Sequence, residues 1–146
     1  MKTKFTQAFL FLSGFLLLVI GLGILLVPAD FHAANGIAFG DDASLLSEIR
    51  APGGLLTACS LVILVGVFRP LRRSISLQVT VFVYGTFGIS RLLGMALDGM
   101  PSGGIVAATM IELAVAAIGL FTLVLGCKAR GRRESTLGLS PNPSSP

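Results

Sequence analysis

The chain has 146 residues, of which 53% are hydrophobic and 12% charged, and its mean hydropathy is +0.89. Soluble domains carry about 25% charged residues, so this composition excludes a soluble enzyme, a disordered protein and a nucleic-acid binder. The net charge of +4 comes from 11 basic against 7 acidic residues; the basic ones lie between apolar blocks too long for a soluble domain, so a membrane accounts for them better than nucleic acid does.

The first apolar block runs from about Phe5 to Val27, carries no charge, and stops at Pro28-Ala29-Asp30. Lys2 and Lys4 before it resemble the start of a secretory signal, but the apolar part of a signal is only about 7 to 15 residues long. A retained span is therefore expected. A link from Pro28 to Asp42, rich in Gly, Ala and Asp, holds the single histidine, His32. The second block, about Ala43 to Phe68, ends at Arg69-Pro70. A short link from Arg69 to Arg73 leads to a third block, about Ser74 to Leu97, and another from Asp98 to Ser102 leads to a fourth, about Gly103 to Cys127.

About 20 apolar residues in a helix cross a hydrocarbon core of roughly 30 Å, and each block exceeds that. Continuous apolar runs also exclude the alternating pattern of a membrane barrel. The predicted fold is an all-α membrane protein, a bundle of four transmembrane helices over about 5–27, 43–68, 74–97 and 103–127. Short links make consecutive helices antiparallel neighbours, so residues 1–127 form one domain. Residues 128–146 start basic and turn into Ser, Pro, Gly and Asn, a composition expected to be disordered beyond about Glu134.

Orientation follows from the cations. Lys2 and Lys4, then Arg69, Arg72 and Arg73, then Lys128, Arg130, Arg132 and Arg133 all fall on one side of an up-down-up-down arrangement. The other side has Asp30, Asp41, Asp42 and Asp98 and no Lys or Arg in its links. Both termini are thus expected in the cytoplasm. The segment Lys128 to Arg133 reads first as this topology signal; attraction to anionic lipid, about 1 kcal/mol per residue, is its other reading. Cys59 and Cys127 are not placed for an extracytoplasmic disulfide and read as small buried residues.

Four ionisable residues, Glu48, Arg50, Arg91 and Glu112, lie within the apolar blocks. Each costs about 2.5 to 3.5 kcal/mol at mid-membrane, so they are expected to face the bundle interior and pair with one another. All four fall in the outer half of the membrane: Arg91 lies about 10 Å and Glu112 roughly 13 Å from the outer ends of their helices, at 1.5 Å per residue. On the third helix Tyr84, Gly88, Arg91 and Asp98 share a stripe; on the fourth Ala108, Glu112, Ala116 and Gly119 do. Small residues in these stripes permit close approach, which makes Arg91 and Glu112 the expected buried pair.

Glu48 and Arg50 point about 200° apart on a helix and cannot both meet one neighbour unless the backbone breaks. Pro52-Gly53-Gly54 follows directly, and it either breaks the helix to form a binding site or kinks an ordinary one.

The five residues Glu48, Arg50, Arg91, Asp98 and Glu112 therefore form the candidate cluster. One reading is a structural ion-pair network that sets helix register. The other is a small pocket, open outward, that binds an anionic or hydrogen-bonding ligand through Arg50 and Arg91. His32 with Asp30, Asp41 and Asp42 is weak support for a metal, because no second histidine stands at ligand spacing. No metal and no cofactor are expected. No nucleophile–base set, phosphate loop or haem histidine pair is present in the sequence, so no enzyme is expected either.

The run Glu48-Ile49-Arg50-Ala51-Pro52-Gly53-Gly54 resembles the E-x-R-A-x-x-G-G or closely similar pattern of small bacterial membrane proteins grouped as domain of unknown function family 4345. Arg91 with Asp98-Gly99-Met100-Pro101-Ser102, and Glu112 in the last span, resemble it too, and the likeness extends to about residue 127. The resemblance implies that these charged residues are signature positions, and it implies a bacterial inner-membrane location; it carries no settled activity. The expected function is a non-enzymatic small subunit or scaffold in the bilayer, with a membrane-protein partner or a second copy of itself. The alternative is a carrier or binding protein for a small molecule, quinone or lipid head group, with Glu112 as its protonatable element.

Overall fold

The computed structural model describes residues 2–40 and 42–136, with side chains over 3–40 and 42–126. It is all-helical among the described residues. Helix α1 spans Lys2–Leu26, α2 Pro28–Ala33, α3 Ala43–Phe68, α4 Arg73–Asp98 and α5 Gly103–Thr136, with a 3-10 turn at Pro70–Arg72 before α4. Within them Thr3–Leu26, Ala43–Phe68, Pro70–Asp98 and Gly103–Gly126 are long and apolar enough to cross a membrane.

Local chemistry sets the ends. The Asp42 carboxylate accepts from the Leu45 amide at 2.8 Å and caps α3. Gly99 ends α4 at φ 97°, a conformation open mainly to glycine. Helix α2 falls within the Pro28–Asp42 segment expected as a link. Its signals are modest: Pro28 at the first turn, Asp30 within that turn, and His32 near the C-terminal end.

Two further expectations change. Helix α3 runs unbroken through Pro52, which lies exposed on it, so the backbone does not open there into a broken-helix site. Helix α5 continues to Thr136, beyond the expected boundary at 127. Lys, Arg, Ala and Glu dominate that last stretch and are good helix formers, and cations suit a helix C-terminus. The Ser- and Pro-rich residues 137–146 lie outside the described residues, as do Asp41 and the side chain of Cys127. Cys59 is a half-buried free thiol.

The interior mixes an apolar core of Leu10, Leu17, Leu56, Ile63, Leu77, Val83 and Tyr84 with polar side chains. Ser13, Ser60, Ser76, Thr80, Thr109 and Glu112 are buried, while Leu12, Phe82 and Ile89 are 65–73% exposed. Lipid supplies no hydrophobic drive between helices, so contact relies on close approach and on hydrogen bonds. Most of the buried hydroxyls satisfy themselves on their own helix, as Ser13 does on the Phe9 carbonyl at 2.8 Å and Thr80 on that of Ser76 at 2.8 Å. Others tie helices together. Ser76 donates to the Val62 carbonyl at 2.7 Å, Tyr84 to that of Ser13 at 2.6 Å, and Gln7 to that of Val67 at 3.1 Å.

Helix α1 packs chiefly on α3, α3 on α4, and α4 on α5, whereas α1 and α5 scarcely touch. A close backbone-to-backbone crossing joins Gly21 to α3 and Gly53 to α1. A Cβ at Gly53 would lie 2.7 Å from the Leu25 amide nitrogen, and one at Gly21 2.7 Å from that of Thr57. At the far end of α1, Phe9 rests against Gly119 of α5.

Candidate functional site

Arg91 and Glu112 meet because the helices carrying them come close one turn away. A Cβ at Gly88 would sit 2.7 Å from the Leu113 side chain, so the absent side chain admits α5. Arg91 Nε then lies 3.1 Å from Glu112 Oε2 and donates to Oε1 at 3.2 Å. The contact to Oε2 is close enough for ion pairing but badly aligned, so Oε2 remains a buried oxygen without a hydrogen-bond donor. The two environments differ. The Glu112 side chain is 11% exposed and that of Arg91 34%.

Beside the pair lies a cavity of about 270 Å³. Its apolar wall includes Leu17, Ile20, Leu56 and Phe87, and Tyr84, Arg91 and Glu112 place polar groups on it. Helix α2 and the turn after it close one end with His32 and Asn35. His32 Nδ1–H donates to the Pro28 carbonyl at 2.8 Å, and its ring packs edge-on to Phe31 and Phe39 with centroids 5.5 and 4.9 Å away. Asn35 reaches across to α5, where a Cβ at Gly104 would lie 2.5 Å from its Oδ1. The turn that carries Asn35 depends on Gly36 at φ 76°. An apolar space with a few convergent polar groups is the ordinary form of a small-molecule site, although those typically hold about 300 Å³ or more.

The five residues of the sequence cluster do not gather in one place. Arg91 and Glu112 pair. Asp98 is exposed and shares a shallow cavity of about 230 Å³ with Arg91. Glu48 and Arg50 are both exposed, and neither lines the cavity nor forms an ion pair among the described residues. The expectation that all four intramembrane charges face inward is therefore corrected. Glu48 and Arg50 occupy the first two turns of α3, where long side chains reach past the helix end toward the interface. Their 200° divergence persists in an unbroken helix.

Residues missed by the sequence reading are those of the cap and Tyr84. The sequence places Tyr84 on the Arg91 stripe without a role, offers His32 only as a weak metal ligand, and gives no signal at Asn35. No group of three or more His, Cys, Asp or Glu side chains gathers as a metal site among the described residues. A helix starting at Pro28 was the available signal, since it turns His32 and Asn35 back over the helix ends.

The model of a protein family described as a domain of unknown function (DUF4345) matches residues 5–123, a stretch that contains the whole cavity. No curated protein and no solved structure matches the chain.

Proposed function

This chain belongs to the DUF4345 family, and on that premise we propose that it is a non-enzymatic binding protein of the bacterial cytoplasmic membrane. Its four spans run antiparallel, with both termini in the cytoplasm and the Arg91–Glu112 cavity toward the outer face. The placement of nine Lys and Arg residues on one side supports this orientation. One observation carries the binding reading: Glu112, 9% exposed, lines a cavity of about 270 Å³ together with Arg91 and Tyr84. A purely structural ion pair gains from full satisfaction and dense packing. Here a charged pair borders a mostly apolar space, as a small-molecule site requires.

A subunit or scaffold role is favoured by a different observation, since the same ion pair ties α4 to α5. Native mass spectrometry of the protein, extracted gently from its own membrane, separates the two. The binding reading predicts a retained small molecule that is lost in Glu112→Gln while helicity is unchanged. Substitution removes the carboxylate charge from the cavity wall while leaving a carbonyl for Arg91. Bare protein, or a molecule retained equally by the variant, overturns the reading. A stoichiometric second protein in place of a small molecule makes the chain a subunit.

A further inference from the structure

The turn between α3 and α4 holds two cations together. Arg69 leaves α3 in an extended conformation, φ -114° and ψ 95°, and Pro70 starts the 3-10 turn that follows. The Arg72 amide donates to the Arg69 carbonyl at 2.9 Å, which closes a tight turn, and the proline ring lowers the entropy that ordering it costs. Both arginines then line one shallow cavity of about 800 Å³, together with Val65, Pro70 and Leu71. The third arginine is used differently. Arg73 Nε–H donates to the Gly66 carbonyl at 3.3 Å and ties the turn to the end of α3. Arg69 and Arg72 are exposed, and neither guanidinium has a hydrogen bond or ion pair among the described residues. Along the chain no Asp or Glu lies between Glu48 and Asp98 to neutralise them. Apolar side chains flank the pair: Leu71 is 96% exposed and Phe68 76%.

We propose that Arg69 and Arg72 hold the phosphate of an anionic phospholipid of the cytoplasmic leaflet, whose acyl chains lie over Leu71 and Phe68. The orientation proposed above names the leaflet; the cavity beside Glu112 plays no part. Geometry selects the phosphate. A guanidinium presents a planar fork of donors that matches two phosphate oxygens, and two such forks line one cavity. Charge selects the lipid. Two unpaired cations favour a head with a net negative charge, whereas a zwitterionic head brings an ammonium group that they repel. The apolar flank selects the source. Free phosphate would leave Leu71 and Phe68 uncovered, while a lipid covers both at the end of a span.

The chain contains no tryptophan, so Phe68→Trp, beside Arg69 but outside the cavity wall, supplies a single fluorescent reporter. The full chain with this substitution is placed in phosphatidylcholine nanodiscs that contain a fraction of brominated lipid, either phosphatidylglycerol or phosphatidylcholine. Bromine quenches at contact, so the ratio of the two quenching constants reads the preference between the lipids. Brominated phosphatidylglycerol is expected to quench the more strongly at equal mole fraction. Arg69→Gln and Arg72→Gln should each cut that preference about fivefold, the worth of one cation at an anionic surface. Arg69→Lys/Arg72→Lys keeps the charge but loses the forks and should lose most of the preference, whereas Arg73→Gln should retain most of it. Circular dichroism confirms that every variant stays helical. Equal quenching by the two lipids overturns the proposal. A preference that survives either glutamine variant or the double-lysine variant, or that falls as far in Arg73→Gln, arises from diffuse charge and overturns it too. Loss of the preference to inorganic phosphate at matched ionic strength would make this a phosphate site and overturn the lipid assignment. Nanodiscs present both leaflets, so these outcomes do not depend on the orientation, which cysteine labelling in cells decides separately.

Discussion

Arg91 and Glu112 form a pair whose members are unequal, and this inequality is measurable. Glu112 is buried and depends on Arg91, whereas Arg91 is one-third exposed and has other donors. Arg91→Met should therefore strand a buried carboxylate and cost about 3–5 kcal/mol. Glu112→Gln keeps a carbonyl for Arg91 and should cost only about 1 kcal/mol, by the modest net worth of a hydrogen bond. The double variant Arg91→Met/Glu112→Leu should recover most of the loss. Equilibrium unfolding in mixed micelles checks the order; equal losses in the two single variants would contradict the burial difference. The pairing partner was legible in the sequence, because two stripes of small residues flanked opposite charges on adjacent helices. The unmet oxygen was not legible, since it depends on the angle at which Nε–H approaches, a matter of tenths of an ångström.

At the scale of elements, the helices are located by run length and their contacts by missing side chains. Gly53 and its neighbour Gly54 offer a direct comparison. A Cβ at Gly53 would press on α1 backbone at 2.7 Å, which cannot yield without moving the helix, whereas the nearest atom to one at Gly54 is 3.9 Å away. Gly53→Ala should destabilise by about 1–3 kcal/mol through overpacking. Gly54→Ala should be neutral or stabilising by up to about 1 kcal/mol, since alanine favours helix. Thermal unfolding of the two variants in one detergent measures the difference, and a similar Tm for both would mean that the α1–α3 crossing is looser than described. In the sequence the two glycines are equivalent, each offering flexibility and close approach next to Pro52. Packing gives them different roles, because α3 stays helical and only one of the two faces α1. Helix α2 went unread because six residues carry too little periodicity to separate a helix from a turn.

In the whole molecule α1 packs on α3, α3 on α4 and α4 on α5, which leaves a seam of few contacts between α1 and α5. A soluble bundle would close such a seam to bury apolar surface, but lipid fills it at no hydrophobic cost. Orientation belongs to this scale and can be tested directly. In a background lacking Cys59 and Cys127, Asp42→Cys should react with a membrane-impermeant maleimide applied to intact cells. Leu71→Cys, 96% exposed beside Arg72 and Arg73, should react only after the cells are broken. The reverse pattern would invert the proposed topology.

Span number, span length and the asymmetry of charge across the links were determined by the sequence alone, because hydrocarbon thickness and the cost of burying cations act on every residue regardless of its neighbours. Tertiary structure decided which intramembrane charges meet. Glu48 and Arg50 carry the same cost as Arg91 and Glu112 when counted by position, yet they lie exposed on the opening turns of α3. Arg91 and Glu112 are drawn together by the close approach at Gly88, beneath a cap that Gly36 turns over them. Whether a charge pairs depends on helix rotation and on the interhelical distance, and both are set by packing between segments far apart in the chain.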